Sequence, residues 1–422
     1  MRFELLVLLV QILGSVYIGA RFSLRIAVIS FIILLYGPVA ALAKINVGPV
    51  ILPLGSMVAL LGIFFTLKAS LPNSSFYYIF SLVFICIVIA IFQSDIYILI
   101  MTVHYLIYAV CGLMFGNFIA SRSDRDKLEI IKGLCSFATL SFFTVIILRM
   151  FLVDGTGLIH SRDVGFGLIP IFILCLTVLS NRVGSLSTVS SILYLVLSQT
   201  RSLLGLLLLV FVHGRHLLLS SINKAVIAVF ALALAFAFIS LTLNRLETQS
   251  MAIGADKGID ERLNVVSRVN GAIAEWQTFN SSPIIGAGIA FYEEDYRTFK
   301  ESEGATADPL EAIAYNHIGV VSVLAQGGIL LFFLTIIYPV YITMRAKKIA
   351  WVTEDKFLIA CYLILIGYFA SFLISGSPIR KDYSDSILYY FAIGYIMNIT
   401  HSLISRKPIA VDCVVANQPE SI

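Results

Sequence analysis

Charge is what this sequence has least of. Of its 422 residues only 13% are Asp, Glu, Lys or Arg and 59% are hydrophobic, whereas a soluble domain carries roughly 25% charged residues. Such a chain cannot cover a water-soluble body, so the composition implies an all-α integral membrane protein. The net charge of +4 is too small and too scattered for a nucleic-acid partner. Zinc-type cysteine spacing is missing too. Cys86, Cys111, Cys135, Cys175 and Cys361 lie in apolar runs, Cys413 lies in the tail, and no C-x-x-C or Cys/His pattern occurs. There are no internal repeats and no ten-residue alternations of the kind that build a membrane β-barrel. The opening "FELLVLLVQILGSVYIGA" has no weighty basic region and runs on into further spans, so a removable leader is not expected.

Long apolar runs are what the chain has instead. A helix needs about 20 apolar residues to cross a bilayer. Candidate spans are 4–20, 26–43, 49–67, 75–92, 96–120, 129–152, 164–180, 185–200, 202–213, 224–243, 318–343, 356–376 and 384–400, which gives 12 or 13 membrane helices. Lys and Arg in the connections divide fifteen to seven between the two faces, and the richer face is expected to be cytoplasmic. The expected organisation is a helical bundle over 1–243, a large loop over 244–317 on the non-cytoplasmic side, further membrane helices over 318–400 and a polar cytoplasmic tail over 401–422. The expected location is a membrane crossed many times.

The long loop holds 12 of the 25 acidic residues against six Lys and Arg, and loops of that length are usually functional. Within it, "ERLNVVSRVNGAIAEWQTF" puts Leu263, Val266, Ile273 and Trp276 at helical spacing. This suits an amphipathic helix on the membrane surface with Trp276 at headgroup level. "SSPIIGAGIAF" then breaks the helix with Pro and two Gly.

Several residues on the outer face could carry chemistry. His317 opens an apolar run, and imidazole changes charge near neutral pH, so it is a candidate general base; a helix-end histidine is the plainer reading. Arg201 lies between two apolar segments at the outer edge, where charge is costly unless paired or facing a polar cavity. Arg162 opens the outer side of another run and Arg268 sits on the surface helix. Singly each reads as a snorkelling anchor, but together they suit an anion, because guanidinium forks match phosphate oxygens. Glu275 and Glu261 lie near Arg268 and could replace His317 as base or pair with arginine. Asp124 and Asp126 of "DRD" formally match a metal-binding acid pair, but they fall in a charged cytoplasmic turn. Glu293 to Asp295 form a surface acid run, and "GAG" (Gly286 to Gly288) is a turn with no strand before it.

Four pieces in order, "SRDVGFG", "SQTRSLLGLLLL", "SRVNGAIAEWQTFNSSPIIGAG" and "NHIGVVSVLAQGG", make residues 155–340 resemble the O-antigen polymerase and ligase family of bacterial envelope proteins. The resemblance implies a C-type glycosyltransferase-like enzyme whose donor is a glycan on undecaprenyl diphosphate. The acceptor is a lipid-linked glycan for a polymerase and the lipid A-core for a ligase. It further implies that Arg201 and Arg268 hold the diphosphate, with Arg162 in the same cradle, and that His317 activates the acceptor hydroxyl. No metal and no cofactor are expected, since arginines can neutralise the leaving group. Membrane lipids and a chain-length regulator are expected partners. Ile318 after the histidine, and Leu331 three residues after Gly328, depart from the ligase pattern and favour polymerase. A glycan exporter or secondary transporter is the rival class. Transporters tend to carry ionisable groups near the midplane, which are scarce here.

Overall fold

A membrane interior offers backbone groups no water to bond, and a helix satisfies them within one segment. The computed structural model of the protein describes residues 44–47, 50–53, 71–152, 171–176, 257–291, 318–353, 355–374, 378–379 and 386–405, with helical positions 60, 63, 66, 186–187, 189–191, 193 and 209. Two short antiparallel strands come first, β1 (Lys44–Val47) and β2 (Val50–Pro53), with Lys44 opposite Pro53 and Val47 opposite Val50. This corrects the expected start of a span at residue 49. Val50, Ile51 and Leu52 pair with β1, in keeping with the β preference of branched side chains.

The remaining elements are helical. They are α1 (Asn73–Gln93), α2 (Ile96–Ala120), α3 (Asp124–Leu152), α4 (Lys257–Ser281), α5 (Gly319–Phe332), a π-helical turn (Phe333–Ile337), α6 (Tyr338–Thr353), α7 (Lys356–Ile374) and α8 (Ser386–Ser405). Among the described residues four segments are long and apolar enough to cross a membrane: α1, α2, Gly319–Ala350 and Lys356–Leu373. They overlap the expected spans 75–92, 96–120, 318–343 and 356–376, while α3 and α8 overlap 129–152 and 384–400. Spans 4–20, 26–43 and 224–243 lie outside the described residues.

Polar side chains set where the helices begin. Asp95 accepts a hydrogen bond from the Tyr97 N–H at 2.7 Å at the start of α2. Asp355 accepts from the N–H groups of Phe357 and Leu358 at 2.9 and 3.1 Å at the start of α7. Each satisfies donors that a helix start leaves unpaired. The "DRD" acids open α3. Ser123 caps the Asp126 N–H at 3.3 Å, and Asp124 and Asp126 occupy the first turn, where acids complement the helix dipole.

Small residues then decide how closely the helices pack. Gly112 and Gly116 of α2 meet the main chain of α8 at Ile387 and Phe391, and Gly394 of α8 meets Leu113 in return, so a Cβ at any of the three would collide with backbone. A Gly-x-x-x-Gly stripe of this kind lets membrane helices approach closely. Asn117, fully buried, joins the pair to α1: it accepts from Ser75 Oγ at 2.8 Å and from Asn398 Nδ2 at 3.3 Å. On its opposite face α1 exposes Phe76, Phe80, Phe84, Ile87 and Ile91, a stripe suited to lipid.

Pro339 lacks the N–H that would reach back to the carbonyl of Thr335 in an α-helix or of Leu334 in a π-helix. Two tyrosines take those carbonyls instead. Tyr78 of α1 donates to Leu334 at 2.9 Å and Tyr389 of α8 donates to Thr335 at 2.5 Å. The π-helical turn is thereby fastened to helices on both sides of it.

Candidate functional site

The site is built where α4, the turn after it and α5 meet. α4 ends at Ser281, before Pro283, and the chain turns through Gly286 (φ +68°) and Gly288 (φ +103°). Positive φ at both positions is where glycine carries no steric penalty. Inside α5 the backbone departs from helix at Gly328 (φ +61°, ψ −165°), a conformation essentially confined to glycine. In an unbroken helix the N–H groups of Ile329 and Leu330 would donate to Ala325 and Gln326, four residues back. Here they donate to the carbonyls of Pro283 (2.9 Å) and Ile284 (3.4 Å). The vacated carbonyls of Ala325 and Gln326 accept from Ala287 (2.8 Å) and Gly288 (2.9 Å). Two helical bonds are thus exchanged for four bonds to the turn. Both N–H groups and both carbonyls released at the break are bonded, in keeping with the need to satisfy irregular backbone at membrane depth.

The fit is close on every side. A Cβ at Gly286 would strike the main chain of Gln326 and Gly327, and one at Gly328 that of Ile284. Gln93, at the end of α1, donates to the Gly286 carbonyl at 2.8 Å, and Gly288 abuts Ile98 of α2. The turn is therefore held at the end of the bundle where α1 passes to α2.

α4 shows an amphipathicity that separates its two faces by chemistry. Val269, Ile273 and Trp276 are about half exposed, at 52%, 52% and 49%, whereas Glu275 is 1% exposed. Gly271, one turn before Glu275, is buried as well, and α4 packs on α5. The described part of the helix thus turns Val269, Ile273 and Trp276 outward and Glu275 inward. Residues seven apart return to nearly the same angle on a helix of 3.6 residues per turn. Glu261, Arg268 and Glu275 follow that spacing along α4.

Among the expected site residues, Glu275 is the one whose side chain is described. Glu261 and Arg268 are on α4, in the part where the backbone alone is described, and Arg162, Arg201 and His317 lie outside the described residues. His317 precedes the first residue of α5 by two positions. His104 is buried within α2, and its Nε2 has no hydrogen-bond partner among the described residues. The five intramembrane cysteines are buried and unpaired, as expected of small apolar residues. Sequence reasoning passed over Gln326, whose side chain bonds three segments. Its signal was an amide with two glycines, "AQGG", inside an apolar run.

Residues 186–336 match the family model described as O-antigen ligase. The match takes in Arg201, α4, His317, the broken α5 and the π-helical turn, and begins after Arg162. No curated protein matches the sequence. Through this segment, which contains buried Glu275 and the helix break that receives the turn, the chain is similar to the O-antigen ligase family.

Proposed function

We propose that the protein is a polymerase of O-antigen or a related surface polysaccharide, moving a glycan from undecaprenyl diphosphate to the next lipid-linked repeat unit at the periplasmic face of the inner membrane. An acceptor hydroxyl attacks the anomeric carbon of the donor glycan. The new glycosidic bond forms as the bond to the diphosphate oxygen breaks, the hydroxyl proton passes to His317, and the diphosphate leaves with the electron pair. Arg201 and Arg268 hold that growing charge through their planar forks, with Arg162 as a third contact. Fixed guanidinium charge makes a metal unnecessary in this reading. Glu275 or Glu261 is the base if His317 is not.

The observation that carries the reading is the insertion of the turn into α5, within the matched segment. It ties the helix bearing Arg268 to the helix that begins just after His317. Counted back from this junction, Arg268 is fourteen residues before Ser282 and Gly319 is ten before Ile329, about 21 Å and about 15 Å of helix.

Ligation of the polymer to the lipid A-core is the second reading, favoured by the description of the matched family, O-antigen ligase. Leu331 bears on the choice. It is buried and packs against Gly327, so its departure from the ligase pattern serves packing. Deleting the gene and resolving lipopolysaccharide on a gel separates the two. Loss of a polymerase leaves cores capped by a single repeat. Loss of a ligase leaves bare core with accumulated lipid-linked polymer. An unaltered ladder would sink both.

A further inference from the structure

Gln326 lies within an apolar membrane helix, is 1% exposed, and has both polar atoms of its side chain engaged. Oε1 accepts from the Ala290 N–H at 3.0 Å, while Nε2 donates to Ser322 Oγ at 2.9 Å and to the Ile379 carbonyl at 3.3 Å. Three parts of the chain converge on this one amide: the segment that follows α4, the N-terminal half of α5, and the connection between α7 and α8. The main-chain bonds around Gly328 fasten the turn at the break itself. Gln326 carries the fastening past the break, toward the end of α5 nearest His317, and adds the α7–α8 connection. A residue that only filled space in an apolar helix would be apolar, because a buried amide is tolerated only when its groups are paired.

We propose that Gln326 is a positioning residue for glycan transfer. Resting on the function proposed above, it fixes α4, with Arg268, and the α7–α8 connection against the half of α5 that follows His317. It acts through these elements and touches no substrate. Misplacement by about 1 Å can cost on the order of 10²-fold in rate, so loss of its bonds reads out in turnover rather than in donor binding.

The test uses the full-length protein in detergent with a polyprenyl-diphosphate-linked glycan, comparing wild type with Gln326→Leu and Gln326→Glu. Leu removes all three bonds at similar volume. Glu keeps an acceptor for Ala290 and loses both donations. Expected is a fall in kcat per folded molecule of about 10- to 100-fold for Leu and a smaller fall for Glu, with the donor KM close to wild type. Added to His317→Ala, Gln326→Leu should cost little more, since residues acting as a unit are non-additive. Wild-type kcat per folded molecule, with only the folded fraction reduced, would make Gln326 structural and overturn the proposal. If the Leu protein does not fold, the Glu protein is judged by the same two readings. An inactive wild type would sink the proposed function and this inference together, whereas an active wild type with unchanged variants sinks this inference alone.

Discussion

Arg201 and His317 divide the proposed chemistry at the residue scale. The arginine meets charge on the leaving diphosphate, and the imidazole takes the acceptor proton. Lysine keeps the charge of Arg201 but loses the fork that grips two oxygens. Arg201→Ala is therefore expected to abolish transfer while the protein stays in the membrane, and Arg201→Lys to recover little. Near-normal glycan from the Lys protein would make Arg201 an interfacial anchor. General base catalysis typically contributes 10²–10⁴-fold. His317→Ala should lower turnover by about that factor and leave donor binding unchanged, as single-turnover kinetics and binding on the purified protein would show. Full turnover would move the base to Glu275 or Glu261. The Glu275 side chain is buried within α4's described part.

At the scale of elements, the segment from Gly319 to Ala350 is broken twice, and each break has its own partners. At Gly328 the partner is main chain, and a Cβ there would both require a left-handed φ and strike Ile284. The backbone strain alone costs about 1–3 kcal/mol. Gly328→Ala is expected to free the 283–288 turn, seen as new protease cutting within the turn together with lost activity; an uncut, active variant would show that the turn does not depend on the break. At Pro339 the partners are tyrosine hydroxyls. Tyr389→Phe leaves the buried Thr335 carbonyl without its donor, which costs about 1–3 kcal/mol for such a group. Denaturant titration in mixed micelles should show a loss of that size, and no loss would mean that another group takes the carbonyl.

For the whole molecule, the two ends of the bundle are distinguished by what joins them. At one end, the turn after α2 meets the turn before α7. Lys127 pairs with Asp355 at 3.5 Å, and Asp355 accepts from Tyr395 at 2.8 Å. At the other end, Gln93 bonds the turn that follows α4. The basic residues near the first end, Arg122, Arg125, Lys127, Arg345, Lys347, Lys348 and Lys356, belong to the face expected in the cytoplasm. A cysteine introduced at Ser250 should then react with a membrane-impermeant reagent in intact cells, and one at Asp126 only after the inner membrane is opened. The reverse pattern would invert the topology and remove the periplasmic site.

Composition and the length of apolar runs were enough to determine a helical membrane protein and the approximate places of four of its spans. The reason is that the bilayer imposes local rules: a span needs a sufficient apolar length, and backbone groups must bond within their own segment. The start at residue 49 was misread because Val50, Ile51 and Leu52 suit strand and helix alike, and only pairing with Lys44–Val47 decides between them. The junction was not legible either. "SSPIIGAG" and "AQGG" each announce a break in a helix, but which carbonyl accepts from which N–H depends on two segments some forty residues apart being brought together. Tertiary structure alone made that pairing. It also decided that Glu275 faces inward while Trp276, its neighbour in sequence, faces out.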